Sequence, residues 1–442
     1  MSTNGSINEP ENQEPQYNFR GYIFFLVGQM VSLLGSSVVQ FAIIWWITLE
    51  TNSEAFLALA ALAGFGPTIV LTPIAGVFVD RWSRKKVIAT VDFIQALVTV
   101  VLIYLFMVGQ ADVWIVLAVT AIRAVFQAFH GPAVQAITPL LVPKDKLSRL
   151  NGIQYLANGL IYLIGPVVGA LLLEYWLLYE VLWLDAITFV FAVVPTIIIS
   201  IPSVIDSAKK EKTPFRAELS EGMDFIRKKR GLLALLSVFT AANFFVTPLF
   251  ILLPLYVTKV HLGGPGDLAL MMAAQQAGLI LGALLMSSWK GFSNNAYGVG
   301  VGIFSMYIGL FIIALTPFQL FLVAYIGMFI GGFMLPVANV SSQTIWQSVV
   351  PPEKLGRVFS VRITIAQITA PLAMIVTGAI AGAIGIINFF LLSGGIGMFF
   401  LGYSWFFTGF TRVEATIQEE EIQGVQTIPS VEPITEPSSD LP

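Results

Sequence analysis

Three charged residues, Asp92, Arg123 and Asp185, stand deep inside long apolar stretches, where a charge at mid-membrane costs about 2.5–3.5 kcal/mol and is retained for a reason. A carboxylate in such a place can carry a proton, and a guanidinium can tune that carboxylate or touch a substrate. Arg123 lies eleven residues into its run, about 16 Å at helical rise and so near the middle. Its structural alternative is to bond loose carbonyls and hold helices together. Asp92 follows a basic loop by two turns, so pairing with that loop stands beside proton carriage. Asp185 sits in the far part of its run. Imidazole is the side chain type best suited to exchanging protons near neutral pH, yet His130, a single intramembrane histidine, reads first as a packed hydrogen-bonding group. Asp92, Arg123 and Asp185 are the coupling candidates.

A second set of residues could line a cavity. Gln29, Ser32, Ser36 and Gln40 recur at spacings of 3, 4 and 4, one face of a helix. Asn151, Gln154, Asn158 and Tyr162 repeat the pattern. Amides and aromatics elsewhere, Phe126, Gln127, Asn243, Phe244, Gln275, Gln276, Asn339, Gln343 and Gln367, extend the candidate cavity, and Trp346 adds an aromatic face. Such side chains turn toward protein or water rather than lipid, and many serve only to hold helices together. Few charges among amides and rings suit a bulky amphipathic ligand held by apolar contact and sparse hydrogen bonds.

The elements that position these groups are membrane helices. Of 442 residues, 56% are hydrophobic and only 11% charged, against roughly 25% charged in soluble domains. With about 20 apolar residues per span, twelve spans are predicted at 20–49, 54–79, 86–108, 112–141, 149–174, 179–202, 231–259, 267–289, 296–315, 319–349, 356–383 and 387–410. Polar segments flank them: a disordered tail at 1–19 without a signal peptide's basic and apolar regions, a linker at 203–230, and an acidic tail at 411–442. In the linker, Phe215, Leu219, Met223 and Ile226 form one stripe, predicting an amphipathic helix at the cytoplasmic interface with Arg227 to Arg230 toward head groups.

Charge sets the sidedness. Gly76 to Val87, GVFVDRWSRKKV, packs Asp80, Arg81, Arg84, Lys85 and Lys86 between two apolar runs. All Lys and Arg except Arg123 and Lys259 then fall on one side of the membrane, so that side, with both termini, is expected to be cytoplasmic. The cell membrane is the expected location.

Several function classes drop out. Net charge is −3, which argues against nucleic acid. With no cysteine and two histidines, thiolate and His-based metal centres and Cys nucleophiles are excluded. No phosphate-cradling loop is present, so ATP drive and a cofactor are not expected. An enzyme lacks its clustered groups. A receptor or scaffold of another class lacks a folded sensory domain.

The chain also repeats itself: VPKDKLSR at 142–149 returns as VPPEKLGR at 350–357, implying 20–202 and 231–410 as two six-helix bundles in parallel orientation, an all-α integral membrane architecture. On these residues the chain resembles the major facilitator superfamily. Residues 76–86 are similar to that family's loop motif between spans two and three, in which Gly76, Asp80, Arg81, Arg84, Lys85 and Lys86 would latch the cytoplasmic side. Asp80 would then face the start of span eleven near Gly356 to Arg362. Val79 and Ser83 stand where the family has small residues, and the second half, lacking an acid between Asp267 and Glu353, has no full copy. RAVFQAFHGPAVQAITPLLVP, with Arg123, resembles the intramembrane arginine motif of proton-coupled members. Gly152, Gly165, Pro166 and Gly169 match part of the antiporter motif, Ile161 and Ala170 replacing two glycines. EGMDFIRKKRGLLALL and FFLLSGG resemble macrolide-efflux and related drug or siderophore exporters.

The resemblance implies a monomeric secondary transporter exporting an amphipathic, macrolide-like molecule from the cytoplasm or inner leaflet by exchange with protons. A siderophore or lysolipid exporter of the same fold is the alternative.

Overall fold

In the computed structural model, residues 18–199 and 215–414 are described, without the side chains of Val77, Asp80, Arg81, Lys144 and 215–219. The two tails and most of the linker therefore lie outside the described residues, as do the Asp80 and Arg81 side chains on which the proposed latch depends. The helices run α1 Phe19–Thr51, α2 Glu54–Arg81, α3 Arg84–Met107, α4 Val113–Leu141, α5 Lys144–Tyr175, α6 Leu178–Ile198, α7 Phe215–Lys228, α8 Arg230–Leu255, α9 Pro265–Ser288, α10 Asn295–Ala314, α11 Phe321–Val349, α12 Leu355–Ile384 and α13 Ile386–Phe407. Twelve of them, all but α7, are long and apolar enough to span a bilayer.

Local sequence explains the breaks. Gly385, at φ +82°, closes α12 and opens α13 as a one-residue turn that needs a glycine's freedom. Prolines sit inside seven of the helices, and after Pro254 the end of α8 widens into a π-turn over Tyr256–Val260.

The repeat reappears in the packing. In the first bundle α1 packs on α5 and α6, α2 on α4, and α3 on α4 and α6. In the second α8 packs on α12 and α13, α9 on α11, and α10 on α11 and α13. The bundles meet through α2 against α12 and α5 against α9, a pair of contacts that exchange under the same twofold relation.

Where the apolar cores lie matters for function. At the end that carries the basic loops each bundle has its own core: Tyr22, Phe25, Ile88, Ile137 and Leu141 in the first, and Leu232, Val299, Trp346 and Val361 in the second. At the opposite end a single core runs through both, with Ile47, Leu57, Ala58 and Leu102 joined to Leu252, Leu310, Met374 and Phe389. A side chain at Gly378 of α12 would press on Ala58 Cβ at 2.8 Å, and Lys259 bonds Glu54, the first residue of α2, at 2.9 Å. The bundles are closed together at one end and parted at the basic end.

Helix α7, the amphipathic helix of the linker, packs on the second bundle. Ile226 is fully buried and Met223 packs with the second bundle's core, a side chain on Gly222 would meet the Arg357 carbonyl at 2.6 Å, and Glu221 pairs with Arg357. The described part of its apolar stripe, Met223 and Ile226, thus faces the second bundle and α12, and Phe215 and Leu219 lie outside the described side chains.

Candidate functional site

The charged candidates of the first bundle come together on one polar ladder. Asp185 of α6 is fully buried, and its Oδ2 lies 2.7 Å from Arg123 Nη2 of α4. Thr99 of α3 donates to Oδ2 at 3.1 Å and Ser36 of α1 to Oδ1 at 2.7 Å, while Arg123 Nη1 donates to Thr99 Oγ1 at 3.2 Å. Both carboxylate oxygens are satisfied, which is the condition for a buried ion pair to be tolerated. Small residues make the approach possible. A side chain on Gly35 would collide with Thr188, one turn from Asp185, so α1 can bring Ser36 to α6.

One turn toward the basic end, Gln95 Nε2 donates to Gln127 Oε1 at 3.0 Å. A further turn on, His130 Nε2 stands 3.1 Å from Asp92 Oδ1, off the line of a straight hydrogen bond, and Gln29 Nε2 reaches Asp92 Oδ2 at 3.4 Å. Asp92 is 2% exposed. Residues 92, 95 and 99 on α3 and 123, 127 and 130 on α4 share faces at helical spacing. Among the described residues, Asp92 thus meets His130, while Lys85 of the basic loop is spent on α6. His130, read as a packed group, is the partner that sequence reasoning missed, along with Thr99 and Gln95. Their spacing was the available signal.

The remaining candidates scatter. Lys85 donates to the Ile197 and Ile199 carbonyls at 2.6 and 2.8 Å, closing the end of α6, and Lys86 is exposed. Gly165 and Gly169 let α5 close on α1, since side chains there would strike Ser37 and the Phe41 ring, whereas Gly152 and Gly76 face open space. Pro166 is buried with them. Gln40, Gln127, Tyr162, Asn243, Asn339 and Gln367 are exposed; Asn158, Phe126, Phe244 and Gln276 are half-buried. Asn339 and Tyr155 bound a cavity of about 350 Å³ between α5, α9 and α11, and Asn243 and Gln275 line another of about 170 Å³ within the second bundle. Gln343 instead accepts from Arg362 Nη1 at 2.7 Å. Arg362 rests against the Trp346 and Phe359 rings and has no carboxylate partner among the described residues.

Among the described residues of the membrane interior, the buried carboxylates Asp92 and Asp185 therefore lie in the first bundle, and the second supplies Arg362 with amides and rings. Such an asymmetry can separate ion handling from ligand binding.

A profile of the Major Facilitator Superfamily matches residues 25–291. The chain is 34% identical over 367 residues to macrolide efflux protein A of Streptococcus pyogenes, covering 83% of this chain and 91% of that protein. It is 32% identical over 314 residues to macrolide efflux protein A of Enterococcus faecalis, covering 71% and 97%. Among solved structures it superposes on a bacterial homologue of the human lysosomal transporter Spinster, inward-facing and unoccupied, with TM-score 0.63 and 15% identity over 92% of this chain and 99% of that one.

Proposed function

Because the chain belongs to the major facilitator superfamily, a family of transporters and not enzymes, we propose that it exports a macrolide-like amphipathic molecule across the cytoplasmic membrane, driven by inward proton flow. The observation that carries alternating access is the distribution of cores: one shared core at one end and two separate cores at the other. Bundles that part at one end while fused at the other can rock about a central site. The basic end faces the cytoplasm by the bias of Lys and Arg, so this conformation is open inward. An even number of spans puts both flanking segments on one side, the side that this bias makes cytoplasmic.

The curated relatives named for macrolide efflux support the substrate class, and the cavities lined by Tyr155, Asn339, Asn243 and Gln275 suit it chemically. Proton drive is supported by buried carboxylates in the first bundle. The test uses purified protein in proteoliposomes loaded with radiolabelled erythromycin. An imposed pH gradient, acidic on the side toward which drug moves, should accelerate its movement, and collapse of the gradient by a protonophore should remove the acceleration. Movement indifferent to the gradient ends the proton reading, and no movement of erythromycin ends the macrolide reading.

A further inference from the structure

Building on the proton-driven reading above, we infer that the Asp92–His130 pair is the proton-carrying group of the exchange, and that Arg123–Asp185 is a fixed ion pair. The two buried carboxylates differ in what compensates their charge. Asp185 has a guanidinium at 2.7 Å and two hydroxyl donors, and a guanidinium does not give up its proton. That pair is neutral without any exchangeable proton. Among the described residues, Asp92 has His130 at 3.1 Å and the Gln29 amide at 3.4 Å. The compensating charge that these partners offer is a proton, held on the carboxyl or the imidazole and belonging to the pair.

With that proton the Asp92–His130 pair is neutral; without it one negative charge is left, at 2% exposure, among apolar helices. Water or a change in surroundings must then stabilise the charge. The location supplies this. Asp92 lies eight residues from the start of α3, about 12 Å from the basic end, where the bundles have parted and Gln127 is exposed. Asp185 lies only seven residues from the opposite end of α6. A proton taken from outside water in the outward-open form would leave to water at the basic end in the inward-open form, a base on each side being water itself. The Gln95–Gln127 amides lie between the two pairs.

Among the described residues, the groups facing the pair are few. From α1 comes Gln29, and from α6 Asp185 already engaged with Arg123. α2 has no titratable residue between Glu54 and Asp80. On α3, Lys85 is tied to the end of α6 and Lys86 is exposed, while Arg84 is half-buried at the helix start. The titratable residues of α5 are Lys144, Asp145, Lys146 and Arg149 at the basic end, then Tyr155, Tyr162, Glu174 and Tyr175.

The experiment compares wild type, Asp92→Asn, Asp92→Glu and His130→Gln in erythromycin-loaded proteoliposomes, reading gradient-driven movement and substrate counterflow across pH. Asp92→Asn and His130→Gln are expected to lose gradient stimulation, with a counterflow that no longer depends on pH, and Asp92→Glu to keep both responses. A merely structural pair would lower all rates together without flattening the pH profile. If wild type is gradient-driven and both Asp92→Asn and His130→Gln stay gradient-driven, this inference falls while the proton reading stands. If wild type ignores the gradient, the proton reading itself has failed. Should Asp92→Asn yield no folded protein, His130→Gln decides alone.

Discussion

Arg123 and Asp185 illustrate how a single pair constrains what each residue can be replaced by. Asp185 is completely buried and Arg123 is 16% exposed, so removing either partner leaves a charge stranded, at about 3–5 kcal/mol. Arg123→Ala and Asp185→Asn should each lower the melting temperature in detergent and the yield of folded protein. Arg123→Leu combined with Asp185→Leu should be closer to wild type in melting temperature than either single variant, because no charge is then unpaired. A double variant as unstable as the sum of the singles would contradict the coupling. Transport by Arg123→Ala would then report stability as much as function, so the double variant is the better probe of mechanism. The three intramembrane charges were visible in the sequence because an apolar run makes any charge conspicuous. Which one met which was not, since Asp185 and Arg123 are brought together by helices joined through no short loop.

Elements are positioned by contacts that residue types announce only in part. His261, between α8 and α9, is buried against the Tyr256, Phe318 and Phe321 rings. Its Nδ1 accepts from the Gln319 N–H at 3.1 Å, which only an unprotonated Nδ1 can do. That bond pins the turn between α10 and α11, where Gln319 adopts φ +59°. Burial lowers the His261 pKa below its ordinary value. The unfolded chain therefore binds more protons below about pH 6.5 than the folded one, and stability should fall as pH drops through that value and level off below the folded pKa. Melting temperature followed downward from neutral pH should show a decline in wild type that is reduced in His261→Gln; equal declines would remove His261 as the cause. The linker helix teaches a different lesson. Its apolar stripe at Met223 and Ile226 was legible, but amphipathicity says only that one face must be covered. A membrane surface and α12 satisfy it equally, and the glycine at 222 that permits close contact with the Arg357 carbonyl decides for the protein neighbour.

At the scale of the whole molecule, the closed end is held, among the described residues, by an apolar core and the ion pair of Lys259 with Glu54. Lys259 is 31% and Glu54 15% exposed, and partly exposed pairs contribute about 0.2–1 kcal/mol. Reversing one charge, as in Lys259→Glu, should therefore shift the balance toward the outward-open form by up to about fivefold, and Glu54→Lys with Lys259→Glu should restore it. The chain has no cysteine, so a single cysteine at Ala60, buried in the shared core, gives a clean reading: its labelling by a water-soluble maleimide should rise in the single reversal and fall back in the exchange. Unchanged labelling in Lys259→Glu would show that the apolar core alone holds this end. The sequence by itself determined the twelve spans, because lipid admits only long apolar helices; the two-fold repeat, because its halves keep a common motif; and the sidedness expected of the basic loops, because charge is costly to move across a bilayer. Tertiary structure alone decided that Asp92 meets His130 and Asp185 meets Arg123, that α7 lies on α12, and that the bundles part at the basic end. Those outcomes depend on helix rotation and on which small residues let backbones approach, and an apolar helix carries almost no periodic signal of either.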